Sequence, residues 1–208
     1  MVSQMLSESR RILYEFLVIE LSLRNPPERR SNKVFRGYVF SKILAEHLKH
    51  YLKSGEIVVG PLWIQGLEWI EWDCAVVREG AKRLHNMNWF LPDDIIALFE
   101  CKVSGIYGKR EELPEKFNQI NYNFEEARKI CKNLRKCLYV SLMEAKPKKR
   151  GINYYEETKK HIKNSFILFN SRSVDALKTK HRDSKEIASK AEEYEGEWEA
   201  LVRTISEL

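Results

Sequence analysis

The sequence predicts an α/β fold, a mixed central sheet flanked by helices, with elements in the order α-α-β-β-β-α-β-α-β-α. Three observations carry this. Apolar residues at helical spacing alternate along the chain with short apolar runs rich in Val, Ile, Trp and Phe, the texture of strands. With 208 residues the chain is long enough for one domain and tight for two, and it shows no repeats and no separating linker. Its 43% hydrophobic content can fill a core, and its 32% charged residues suit a solvated surface, which excludes a disordered chain.

Residues 4–23 carry apolar positions at helical spacing and form a first helix. The proline-broken stretch 25–32 is a loop. A second helix runs from about Val34 to Leu52, with Val39, Phe40, Ile43, Leu44, Leu48 and Tyr51 as its stripe. Three strands follow at Glu56–Ile64, Leu67–Arg78 and Asp94–Ser104, the first two separated by a Gln65-Gly66 turn. The third is almost wholly apolar until its end, as a strand buried on both faces must be. A helix from about Pro114 to Arg135, a strand at Leu138–Glu144, a helix near Tyr154–Asn164, an apolar segment at Phe166–Asn170 and a charged helix from about Ser184 complete the chain.

Lys and Arg outnumber Asp and Glu by 36 to 30, a net charge of +6 that admits a polyanionic partner without establishing one. The apolar stretch 12–23 is interrupted by Glu15 and Glu20 and is too short to span a bilayer, and no signal peptide is apparent. The expectation is a cytoplasmic protein with no membrane partner. The four cysteines, Cys74, Cys101, Cys131 and Cys137, form no CxxC pair, so they read as reduced thiols rather than a zinc site. The five histidines are scattered without metal-ligand spacing, and His47 and His50 share a helix face without evident partners.

Two segments carry chemistry. In Trp69–Val77 an acid, Asp73, stands inside an apolar strand; in Ile95–Val103, Glu100 and Lys102 close another. Residues i and i+2 of a strand share a face, so Glu100 and Lys102 project together while Phe99 and Cys101 point to the opposite layer. A charge among Trp, Ile, Val and Phe is costly unless paired or bound to metal. If the strands are neighbours, Asp73, Glu100 and Lys102 converge. Two carboxylates suit a hard cation such as Mg²⁺, and a lysine beside them suits an attacking water or a developing phosphoryl charge.

Asp73 with Cys74-Ala75-Val76-Val77 after it, then an apolar strand ending in Glu100-Cys101-Lys102, resembles the D…(D/E)xK signature of the PD-(D/E)xK, or restriction-endonuclease-like, nuclease superfamily. The likeness spans roughly residues 35–145 and includes the αβββαβ order of elements. It implies a nuclease-like domain over residues 1–208, with that core, an N-terminal helix and a C-terminal helical extension. It further implies a Mg²⁺- or Mn²⁺-dependent deoxyribonuclease, endonuclease rather than exonuclease. Asp73, Glu100 and the main-chain carbonyl of Cys101 would be metal ligands, and Lys102 the catalytic lysine. DNA is the expected partner, with a homodimer where both strands are cut. Lys109 and Arg110, just past the site, are the expected nucleic-acid contacts.

The chain departs from the family where an acid is expected on the helix before the meander: Ser41 stands there, with Glu46 as a substitute further along. The basic clusters Lys132/Arg135/Lys136 and Lys146–Arg150 read singly as solvated loops or helix ends. Trp63, Trp69, Trp72 and Trp89 could stack bases, although Trp72 reads as core. The stripe Ile187, Ala191, Tyr194, Trp198, Leu201 and Ile205 predicts that the last helix covers the sheet, with a dimer contact as the alternative.

Overall fold

The computed structural model describes residues 6–22, 33–106, 108, 111–145 and 152–208. A six-stranded mixed sheet, order β3-β1-β2-β4-β5-β6, is flanked by helices on both faces. Its strands are β1 (Glu56–Ile64), β2 (Trp72–Val77), β3 (Trp89–Phe90), β4 (Ile95–Ser104), β5 (Lys136–Met143) and β6 (Ser165–Phe169). β1, β2 and β4 form the antiparallel meander; β4, β5 and β6 run parallel.

On one face lie α1 (Glu8–Ser22), α2 (Lys33–Leu48), α5 (Ser171–Lys180), α6 (Ser184–Lys190) and α7 (Glu197–Ser206). Their apolar stripes meet Cys74, Val76, Phe99, Cys101 and Val140 in one core. The crossover helix α3 (Leu113–Ile130) and α4 (Tyr154–His161) bury Phe117, Phe124 and Tyr154 on the other face, against Ala75, Leu98 and Tyr139. Such alternation along β2 and β4 is what the pleat dictates.

Charged residues inside these layers are paired. Glu20 on α1 is 2% exposed, and Arg36 from α2 and Lys178 from α5 each approach its carboxylate at 2.7 Å. Glu197 on α7 accepts Tyr155 Oη and Lys159 Nζ at 2.7 Å, and the Ile167 amide at 3.1 Å, which pins α7 to α4 and β6. His47 does have partners, Glu8 and Glu15 on α1 at 3.3 and 3.2 Å, contrary to the expectation from its own helix.

Several boundaries move. The second strand begins at Trp72 rather than Leu67, because the Gly66 φ of +84° and the Glu68 carboxylate accepting the Gly66 N–H (2.9 Å) hold residues 65–70 in a turn. The connection 79–92 contains β3, a two-residue strand whose partner is β1. The last helix is broken at 191–196, where Tyr194 N–H donates to Leu168 O and Asn170 N–H to Glu192 O, both at 2.9 Å. This extended segment covers the edge of β6, a better use of its backbone groups than one more helical turn. α5 falls where the sequence announced no element; Asn170 caps it, accepting from the Arg172 and Ser173 amides.

All four cysteines are buried, 2% exposed each, and none is in a disulfide. Burial pushes the Cys131 thiol up to about 12 and Cys137 up to about 11, and raises Cys74 and Cys101 as well. A soluble disulfide reagent at mildly alkaline pH is therefore expected to leave the native protein unlabelled and to label four thiols after denaturation. Rapid native labelling of any one of them would refute that packing.

Among the described residues, no helix is long and apolar enough to cross a membrane.

Candidate active site

The site is made where two neighbouring strands part. β2 and β4 pair from Val77–Ile95 to Cys74–Phe99, and there the ladder ends. β4 continues to Ser104 with only β5 beside it, so Glu100 and Lys102 stand on a stretch whose other flank is open. The parting coincides with an irregularity in β1. Its register with β2 is regular as far as Val59–Cys74, is interrupted at Gly60-Pro61, and resumes at Leu62–Trp72. At this bulge β2 also turns over. Strict alternation would put Trp72 with Cys74 and Val76; instead it packs on the α3 side, stacked on Phe124 with centroids 5.9 Å apart.

Asp73, at this turning point, aims its carboxylate at β4. Its Oδ2 accepts the Cys101 N–H at 2.8 Å, filling in for the ladder bond β2 no longer makes. Lys102 Nζ lies 3.8 Å from the same Asp73 oxygen and in closer contact with Glu100 Oε1. The three charged groups predicted from the sequence thus meet at one place. Cys101 lends the cluster its backbone, while its thiol points into the opposite core.

The electrostatics are those of crowded like charges relieved by one cation. Burial, with the neighbouring Asp73 adding to it and Lys102 opposing, holds the Glu100 carboxyl above the ordinary carboxylate range. Glu71, exposed at the end of the preceding turn, adds a smaller push. Burial works to lower the Lys102 ammonium, yet Glu100 and Asp73 outweigh it and hold the lysine above its usual value. Lys102 is therefore a cation at neutral pH.

Tyr139 stands in register with Glu100 on β5 and is fully buried; sequence reasoning passed over it as strand core. Burial, then the Glu100 charge, raises its phenol, so it stays protonated. Only the parallel pairing of β4 with β5 reveals this neighbour.

Other candidates lie elsewhere. Ser41 is buried, donates to Gly37 O at 3.0 Å and meets the Cys101 thiol, on the face opposite Glu100 and Lys102. Glu46 is exposed and paired with Lys49, in a groove between α2 and β1. Neither brings a third acid to Asp73 and Glu100. Lys109, Arg110 and the 146–150 basic loop lie outside the described residues.

No group of three or more His, Cys, Asp or Glu side chains that could hold a metal occurs among the described residues. The donor set here is two carboxylates, Asp73 and Glu100, with the main-chain carbonyl of Cys101 available next to the second. That chemistry fits a hard cation that takes oxygen ligands and keeps several of its waters, and it does not fit zinc.

No family model matches the chain, and no curated protein matches it. Similar solved structures include NucC of E. coli MS115-1 in its cAAA-bound form, 13% identical over 100% of this chain and 92% of that one, with a TM-score of 0.48. NucC of P. aeruginosa ATCC27853, also cAAA-bound, is 11% identical over 98% of this chain and 100% of that one, with a TM-score of 0.46.

Proposed function

We propose that this protein is a Mg²⁺- or Mn²⁺-dependent nuclease that hydrolyses phosphodiester bonds in DNA. The observation that carries the reading is the convergence of Asp73, Glu100 and Lys102 at the point where β2 leaves β4. Holding two part-buried carboxylates on one lysine is poor stability design, since apolar packing does as well as or better than ion pairs withdrawn from water. Titrating groups perturbed by burial together with specific charge partners, as Glu100 and Lys102 are, mark a functional-site candidate. The site also lies at the carboxyl ends of the parallel strands β4 and β5, where open α/β sheets bind their ligands.

In this reading Asp73 and Glu100 hold the cation, with the Cys101 carbonyl as third ligand. A strand residue directs its N–H and C=O to the same side, and the Cys101 N–H is turned toward Asp73. Bound there, the cation supplies Lewis-acid polarisation of a phosphoryl oxygen and acidifies water. Lys102, held protonated, donates hydrogen bonds to the attacking water or to the phosphoryl oxygens as their charge grows. Asp73 keeps β4 in place through the Cys101 amide, so ligand and scaffold are the same side chain.

A second reading, a binding protein that keeps the fold without turnover, is favoured by Ser41, which stands where the family carries an acid and turns to the Gly37 carbonyl on the opposite face. One panel separates the two: linear, plasmid, single-stranded and branched DNA, incubated with Mg²⁺, with Mn²⁺ and with EDTA. The nuclease reading expects cleavage with either metal and none in EDTA. DNA binding without cleavage of any form under every condition would select the second.

A further inference from the structure

One corner of the sheet gathers two part-buried tryptophans beside exposed apolar side chains. Trp63 and Trp89 are register partners on the parallel pair β1–β3, so their side chains leave the same face side by side, about 4.8 Å apart along the sheet. With Met87 and Glu68 they line a shallow groove. Met87 is 50% exposed, and Trp69, on the turn that follows β1, is 67% exposed. Large apolar side chains gathered at one exposed corner mark an interaction surface rather than chance decoration.

The charge around this corner indicates what it meets. The loop that delivers Met87 and Trp89 also carries Lys82 and the His85 ring, both exposed, while its Arg83 lines the neighbouring groove between α2 and β1. His85 and Asn86 both adopt positive φ, 51° and 58°, which is uncommon for residues other than glycine. This conformation brings the His85 ring to 5.7 Å from that of Trp89. The carboxylate in the groove, Glu68, is engaged with the Gly66 N–H. Aromatic faces bordered by cations suit a polyanion whose units have flat π-faces.

The corner is also tied to the site. Gln65 N–H donates to Phe90 O and Trp63 N–H to Asn88 O, at 2.9 and 2.8 Å, and the turn they anchor runs straight into Trp72 and Asp73. We propose that Trp63, Met87 and Trp89 form a shelf on which unpaired nucleobases stack, so that the strand reaching Asp73 and Glu100 is single-stranded or locally opened. Base faces inside a duplex are covered by their neighbours; only an unpaired strand presents them. That the stacked strand is also the one cleaved rests on the nuclease reading above.

The test is a binding titration in EDTA, where hydrolysis is suppressed. Labelled oligothymidine of about 15 nucleotides and a duplex of equal length are followed by anisotropy, with tryptophan emission recorded in parallel. The wild type is expected to bind oligothymidine with quenching. Trp89→Ala and Met87→Glu should each weaken that binding on the order of ten-fold and leave duplex affinity unchanged. Met87 is half-exposed, so Met87→Glu keeps the fold, which a melting curve verifies. Wild-type affinity in both folded variants, no quenching at saturation, or no binding of oligothymidine at all would overturn the shelf. So would Met87→Glu abolishing self-association while sparing oligothymidine, which would make the corner a contact between copies. Failure here leaves metal-dependent cleavage untouched. Oligothymidine binding by a protein that cleaves nothing would sink the nuclease reading and keep the shelf.

Discussion

Lys102→Ala is expected to cut metal-dependent DNA cleavage on the order of 10³-fold, about 4 kcal/mol of transition-state stabilisation. Lys102 is the one cation in contact with both Asp73 and Glu100 among the described residues. Its ammonium is held protonated by those carboxylates. Under the proposed function, removing it deletes the donor assigned to the developing phosphoryl charge, and it leaves two carboxylates to repel each other. Lys102→Arg keeps the charge but spreads it over a planar fork of different reach, so it should restore only part of the rate. The measurement is single-turnover cleavage of whichever substrate the panel identifies, at saturating Mg²⁺. A Lys102→Ala protein that cleaves at the wild-type rate would remove the lysine from the reaction. Equal loss of thermal stability and rate would make its role structural.

Gly60→Ala should damage stability and cleavage together. A Cβ at Gly60 would lie 2.2 Å from the Trp72 carbonyl oxygen, 2.7 Å from the Leu62 amide nitrogen and 3.1 Å from the Asp73 carbonyl oxygen. All three are backbone atoms, so no side-chain rotation relieves the clash, and either β1 or the Trp72-Asp73 segment must shift. Overpacking of this kind costs about 3 kcal/mol, or roughly 6–12 °C in melting temperature for a chain of this size. Two of the three clashing atoms belong to Trp72 and Asp73, so a shift on that side disturbs the Asp73 hydrogen bond to the Cys101 amide in the same step. Gly37 provides the contrast: it lies within α2 with nothing inside 4 Å of a Cβ, so Gly37→Ala should raise stability by about 1 kcal/mol through helix propensity alone. Melting curves and cleavage rates of the two variants decide the matter. Wild-type behaviour of Gly60→Ala would show that the bulge does not govern the site.

What the amino-acid sequence determined by itself was the chemistry at risk. Charges at Asp73, Glu100 and Lys102 within apolar strands are visible in one dimension because their cost is local: each stands among neighbours that cannot solvate it. The mixed sheet with its helices, and the buried thiols of Cys74 and Cys101, were legible for the same reason, since strand and helix periods are written along the chain.

Only the tertiary structure decided the rest, because the deciding contacts join residues far apart in sequence. β3 is two residues long and has no period of its own; it exists as a partner for the edge of β1. The stripe from Ile187 to Ile205 reads as one helix, yet the open edge of β6 claims residues 191–194 for its hydrogen bonds and breaks it. Tyr139 becomes a neighbour of Glu100 only through parallel register, and Ser41 is removed from the site only by the face of β4 on which α2 packs. The separation of β2 from β4, which frees the Asp73 carboxylate to reach the Cys101 amide, falls beside a bulge in a third strand, and neither is written in the sequence of β2. A strand's sequence specifies which side chains share a face; where its neighbour leaves it depends on register and bulges that only the assembled sheet defines.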